Sequence, residues 1–324
     1  MPDELVSTFP PVALPAWPAG GAPVEALARD IADWVGSPAL AALVRRFGGD
    51  IPSGDVATRL TYLDEFSIVW DSRRGGERSQ ARYADHDEAT RQLVIAAATA
   101  LGLADRERPA TDRYDHVLIL GGGPVTGRAR SRFAANLLDG GVTTGTVAAL
   151  GSLRPLPVTS AALGSPVELT EGDGMLMAGQ EAFPPLGDVT ARHGTTEAGH
   201  DWWVKTYPSG MGPVTVVAAP PTQPGRRAIT ADTMLGWAEL VARPTPDERI
   251  LLVTTHLYVP YQHADAIATL GLPYRCGIDT VGFDTATFPA WPNGPAHVGE
   301  FLQELRSAIR SMRTLHARLE RVAR

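Results

Sequence analysis

Cysteine is almost missing from this 324-residue chain: Cys276 stands alone, which excludes an internal disulfide and any cysteine-built zinc or iron–sulfur cluster. Lysine is as scarce. Lys205 is the only one, so a phosphate-binding P-loop, which needs its lysine, is excluded, and nearly all the positive charge is arginine. Against a background of abundant Ala, Gly and Pro, one arginine by itself carries little functional information. Long apolar runs are also lacking: none reaches the ~18 residues that a membrane helix needs. The start Met1-Pro2-Asp3-Glu4, with Pro10, Pro11, Pro15 and Pro18 soon after, matches neither a signal peptide nor a membrane anchor. The expectation is a soluble, cytoplasmic protein. A net charge of −7 gives no general attraction for a polyanion, so nucleic acid is not an expected partner. No G-x-S-x-G elbow occurs, and a serine hydrolase of that type lacks its nucleophile.

What the chain does have is a core, with 44% hydrophobic residues against 20% charged, and one stretch that organises it. Asp115-His116-Val117-Leu118-Ile119-Leu120-Gly121-Gly122-Gly123 joins four apolar residues to a glycine triplet. An unbroken apolar run predicts a strand buried on both faces of a parallel sheet, since a half-exposed strand would alternate with polar residues. Three glycines allow a sharp turn and leave peptide N–H groups uncovered at the start of the next helix, where an anion could approach.

In chain order, residues 1–23 read as an extended arm, ordered where Phe9 and Trp17 find packing partners. Residues 24–110 read as a helical layer or cap: amphipathic spacing from Leu27 to Val44 with a break at Gly36-Ser37-Pro38, a second helix from Asp55, and an Ala-rich helix from His86 to Leu103. A charged segment with Arg73, Arg74 and Arg78 interrupts them and reads as a loop with a possible reach to an anionic ligand. Residues 111–324 read as the α/β domain. After the glycine turn come a helix stopped by Gly140-Gly141, a strand from Val142 to Leu150, and a long excursion over residues 155–194. A helix capped by Thr195 and running to Tyr207 is expected next, followed by strands at 213–219, 249–255 and 277–283 and a terminal helix from Ala296 to Ala323. The expected fold class is therefore α/β: a Rossmann-like, mostly parallel sheet with flanking helices and an N-terminal helical layer or cap.

In such a sheet, ligands sit beyond the carboxyl ends of the strands. That rim would gather Gly121, Gly122, Gly123, Gly151, Ser152, Arg154, Thr254, Thr255 and His256, an inventory of turn amides, hydroxyls, a guanidinium and an imidazole suited to an anionic or nucleotide-like small molecule. Arg132, Thr195 and Tyr258 join it as candidate ligand contacts, and His256 and Glu171 are the candidates for proton transfer. Nicotinamide cofactors are disfavoured, because Gly121, Gly123 and Gly127 give a spacing one residue too long and the second strand ends without Asp or Glu. His193, Glu197 and His200 would share a face only if helical throughout; Gly194 argues against it, so a metal is not expected, and a metal-dependent hydrolase is the lesser alternative.

Asp115 to Gly123, the Arg132–Gly141 helix, Glu171 with Met175, Thr195-Thr196-Glu197-Ala198 and Leu251-Leu252-Val253-Thr254-Thr255 together resemble the YdcF/SanA/ElyC-like domain family over about residues 113–275. The resemblance implies a Rossmann-like fold with a binding rim, links to cell-envelope metabolism, and S-adenosylmethionine as a possible ligand. The chain departs from that family's closing motif: Tyr258 and Tyr261 stand where the family has His and Arg, and Glu197-Ala198 occupy its Asn region. The function expected is a small-molecule enzyme, a transferase or hydrolase more than an oxidoreductase, binding a nucleotide-like, S-adenosylmethionine-like or phosphorylated ligand. A non-catalytic binding protein on the same sheet is the alternative.

Overall fold

In the computed structural model, which describes residues 9–74, 76, 81–156, 169–223 and 225–322, the apolar run after Asp115 is strand β1 (Arg113–Ile119). Successive side chains of a strand point to opposite faces. Leu118 and Leu120 accordingly join one apolar cluster and Val117 and Ile119 a second. Both faces are dry, which is why polar alternation is absent from this stretch.

Among the described residues four α-helices precede it: α1 (Val24–Val35), α2 (Pro38–Arg46), α3 (Val56–Phe66) and α4 (Glu88–Ala98). Ser37, Asp55 and Asp87 each cap one of them, accepting from the backbone N–H three residues on. After β1 come α5 (Pro124–Asp139), β2 (Thr143–Ser152), α6 (Glu171–Ala182), β3 (Thr190–Thr195), β4 (Asp201–Ser209) and β5 (Gly212–Ala219). The chain continues through α7 (Thr230–Trp237), β6 (Arg249–Thr255), α8 (Val259–Ala266), the single turn α9 (Leu272–Tyr274), β7 (Gly277–Phe283) and α10 (Val298–Val322). No helix among the described residues is long and apolar enough to cross a membrane.

The seven strands lie in the order β3-β4-β5-β2-β1-β6-β7. From β5 to β7 all neighbours are parallel, while β4 and β3 extend the β5 edge antiparallel. Among the parallel strands the chain winds outward from β1 first to β2 and β5, then to β6 and β7. The winding therefore reverses between β1 and β6, the position at which open α/β sheets offer a crevice.

Helices α5 and α6 cover the face of Val117 and Ile119, contributing Ala129, Phe133 and Met175 to its core. On the opposite face lie α7 and α8, and behind them α10. Leu305, Ala308, Met312, Leu315 and Leu319 give α10 a buried stripe at helical spacing, onto which α1, α3 and α4 pack. The N-terminal helices thus form a further layer around α10, and the segment between α3 and α4 brings Arg73 and Tyr83 to the strand ends. The departure from expectation is at residues 195–207, where a β-hairpin replaces the helix: Thr195 closes β3 and Gly199, at φ +80°, makes the turn into β4. Aromatic and β-branched residues at 202–207 prefer that pleated surface.

The arm closes the β7 edge. Trp17 pairs with Ile278, and His263 takes contacts on both ring nitrogens, one with the Pro15 carbonyl at 2.8 Å and one with the Thr280 hydroxyl at 3.0 Å. Burial pushes the His263 pKa down from its ordinary 6.5. The unfolded chain then binds a proton that the folded one refuses, so stability is complete above that value and is lost as the pH falls below it. Urea unfolding should give a smaller free energy at about pH 5.5 than at about pH 7.5, and His263→Asn should flatten this slope. Equal slopes for the two proteins would show that another group controls the acid side.

Candidate functional site

Beyond the carboxyl ends of β1 and β6 lies an open cleft of about 980 Å³. Its inner end is the glycine turn. Leu120 N donates to Val253 O at 3.0 Å and so ties the turn to β6. At Gly121 a Cβ would lie 2.5 Å from the Leu150 carbonyl, which only glycine avoids. Gly123 differs: its backbone is extended, a Cβ would meet nothing within 4 Å, and it occupies the N-cap of α5 without a capping side chain. The first turn of α5, with its unsatisfied N–H groups and positive dipole end, therefore begins at the cleft wall with no oxygen supplied from the N-cap.

Arg130, one and a half turns into α5, fixes the shape of this turn. Only 2% exposed, its guanidinium donates to the Leu120 carbonyl at 2.9 Å, to the Gly121 carbonyl and to Thr255 Oγ1 at 3.3 Å, and it lies 5.3 Å from the centre of the Tyr258 ring. In a trans peptide the N–H points opposite to the C=O. Carbonyls drawn to Arg130 therefore leave the Gly121 and Gly122 N–H groups on the side of the turn away from the guanidinium.

At the first residue of α6 the Glu171 carboxylate accepts from Ser152 Oγ at 2.7 Å and from the Arg154 guanidinium at 3.3 Å. A Thr170–Asp173 capping box holds that helix start in place. The outer walls come from Tyr258 and from Tyr261 and Asp265 on α8, from Glu300, Glu304 and Ser307 on α10, and from the segment carrying Arg73 and Tyr83. Arg73 pairs with Glu304, and Tyr83 stacks on His297 with ring centres 4.9 Å apart.

Of the residues singled out from sequence, Gly121, Gly122, Gly123, Arg154, Glu171, Thr255 and Tyr258 line the cleft together. Ser152 stands behind Glu171 as its hydrogen-bond donor. Gly151 is used for packing, since a Cβ there would fall 2.9 Å from Gly172 Cα. Thr254 is fully buried and donates to Gln262. Three further candidates do not line the cleft. Arg132 is exposed on the outer side of α5, so the buried arginine of that helix is Arg130. Thr195 is exposed and bonded to Asp201 within the hairpin. His256 is buried and does not line the cleft: one ring nitrogen meets Oγ1 of Thr285, a lining residue, at 3.0 Å, the other lies 3.6 Å from Asp284, and the ring abuts Phe301. Burial pushes its pKa below the ordinary value, against the pull of Asp284. The hairpin likewise breaks up His193, Glu197 and His200, and among the described residues no three His, Cys, Asp or Glu side chains are grouped to hold a metal ion. Arg74 is exposed, and Arg78 lies outside the described residues. Cys276 is fully buried, and burial pushes its thiol up to about 12.

The chain is 32% identical to the uncharacterized proteins Rv3785 of Mycobacterium tuberculosis and Mb3814 of Mycobacterium bovis, over 93% of its own length and 92% of theirs. It belongs to the Rv3785 family. The model of the Rv3785 N-terminal domain matches residues 18–102, which take in α1 to α4 and the segment that brings Arg73 and Tyr83 to the cleft. No solved structure matches.

Two residues of this Rv3785-family cleft escape a reading of the sequence alone. Arg130 had a usable signal, because counting back three residues from the buried Phe133 puts it on the sheet-facing side of α5, more than half a turn from Arg132. Asp265 had none. It is partly exposed to the cleft and otherwise sunk between α8 and α10, and burial pushes its carboxyl up to about 6, against the pull of a Ser311 hydrogen bond and of Arg318. For a raised carboxyl the stabilising contribution is present at low pH and is lost as the pH rises from 3.8 through about 6. Asp265→Asn should accordingly raise the unfolding free energy by roughly 1–2 kcal/mol at about pH 8 and leave it unchanged near pH 4. The same effect at both pH values, or none at the higher one, would contradict the assignment.

Proposed function

We propose that the cleft binds a small anionic molecule of nucleotide-like, S-adenosylmethionine-like or otherwise phosphorylated kind, at a Rossmann-like switch point between β1 and β6. The observation that carries this reading is the pairing, at one end of an open cleft, of the bare N-cap Gly123 with the buried guanidinium of Arg130. Backbone donors held in place by the fold meet an anion without side-chain rearrangement, and the positive end of the helix adds to the attraction. The resemblance of residues 113–275 to the YdcF/SanA/ElyC-like domain family supports the same reading.

Proton transfer in this cleft falls to Glu171 and Asp265, both of which line it, and no longer to His256. A transferase or hydrolase acting on the bound molecule is the reaction class in view. The arrest of His256 between Thr285 and Asp284 favours a second reading, ligand binding without turnover, and product formation separates the two.

Gly123→Asp gives the clean test. An N-cap aspartate fits the extended backbone at this position and helps the helix, while setting a carboxylate where the anion would rest. The variant alone should melt at the same temperature as wild type or a few degrees higher. Adenosine monophosphate, S-adenosylmethionine or glucose 6-phosphate should raise the melting temperature of wild type and not that of the variant, because a ligand of the folded state stabilises it. A panel with no effect on wild type, or equal shifts in both proteins, would contradict the proposal.

A further inference from the structure

The wall of the cleft formed by α8 and α10 is polar where a helix pair would ordinarily be apolar. Helix α8 packs on α10. On α8, Tyr261 and Asp265 are four residues apart and share a face; on α10, Glu300, Glu304 and Ser307 fall at steps of four and three and form one stripe. All five border the cleft, and Gln262 beside them is 2% exposed. Glu304 and Gln262 are buried and the other four half-buried, and polar groups at such depth cost stability unless they are satisfied.

The charges of this wall are already answered within the protein. Glu304, 3% exposed, pairs with Arg73, and Asp265 has Arg318 nearby and a carboxyl shifted toward the neutral form by burial. Such a wall calls for no additional cation. It presents the Tyr261 phenol, which accepts from Gln262 Nε2, the Asp265 carboxyl, which is bonded to Ser311, and the Ser307 hydroxyl, which donates to the Gln303 carbonyl; each keeps lone pairs that can accept a further hydrogen bond. Alcohol groups of a ligand can donate to those remaining lone pairs, whereas an alkyl group cannot, and sites that bond a ligand hydroxyl discriminate against analogues without it.

We propose that the occupant is a phosphorylated polyhydroxyl compound, a nucleoside phosphate or a sugar phosphate, whose hydroxyls are read by Tyr261 and Asp265 on α8 and Ser307 on α10 while its phosphate rests on the Gly121–Gly123 turn. This deepens the anion-binding reading and rests on it.

Calorimetric titration of the full chain with inorganic phosphate, ethyl phosphate, glucose 6-phosphate and adenosine monophosphate tests it. One of the two hydroxyl-bearing phosphates should bind roughly tenfold or more tightly than ethyl phosphate, and which one does so tells sugar from nucleoside. Asp265→Ala should remove most of that advantage and leave the affinity for ethyl phosphate unchanged. Asp265→Asn, which keeps the shape and the hydrogen-bonding capacity, should retain an intermediate preference and serves in place of the alanine variant if that one does not fold. Equal affinity for ethyl phosphate and both hydroxyl-bearing probes overturns this inference alone, as does a preference untouched by either substitution. No binding of any phosphate overturns the anion reading and this inference with it.

Discussion

The buried guanidinium of Arg130 joins the ends of the two strands between which the winding of the sheet reverses. It gathers the carbonyls of Leu120 and Gly121 from the β1 side and the hydroxyl of Thr255 from the β6 side, while Leu120 N reaches Val253 O across the same gap. A charge sunk this far would cost several kcal/mol if left without such partners. The turn therefore has one shape that satisfies the arginine, and glycine at 121 is the residue that lets Leu150 and Glu171 close around it. The geometry of the cleft follows: peptide groups are sorted with carbonyls toward Arg130 and N–H groups away from it.

The layers behind the sheet serve that cleft as well. Helices α1, α3 and α4 pack around α10, which brings Glu304 and Ser307 to the cleft wall, and Arg73, from the segment between α3 and α4, locks onto Glu304. The region matched by the Rv3785 N-terminal domain is thus part of the architecture of the site, contributing one wall directly and supporting the helix that forms another. Apolar residues of α1 to α4 share one continuous core with Leu118 and Leu120 of β1, so the two regions are coupled through packing.

Much of this was legible in the residues themselves. Unbroken apolar runs marked β1 and β6 because strands buried on both faces have no polar alternation to blur, and Asp55 announced a helix start. The rim was legible for the same reason: residues that follow such strands must converge at one edge. Side-chain direction was less so. Arg132 and Arg130 differ by two residues and by some 200° around the helix, and His256 follows Thr255 into a short turn where its ring is buried against Thr285, Asp284 and Phe301. The 195–207 hairpin was misread because Thr195 also suits a helix cap, and the aromatic run that favours a strand begins only at Trp202. Asp265 depends on how α8 meets α10, which no local pattern encodes.

The most direct test of the central claim, that an anion sits at the junction of the glycine turn and the end of β6, is amide chemical-shift mapping by NMR during titration with phosphate and with adenosine monophosphate. The account predicts saturable shifts concentrated at Gly121, Gly122, Gly123, Thr126 and Thr255. Shifts scattered over the surface, or centred elsewhere with these amides unmoved, would contradict it.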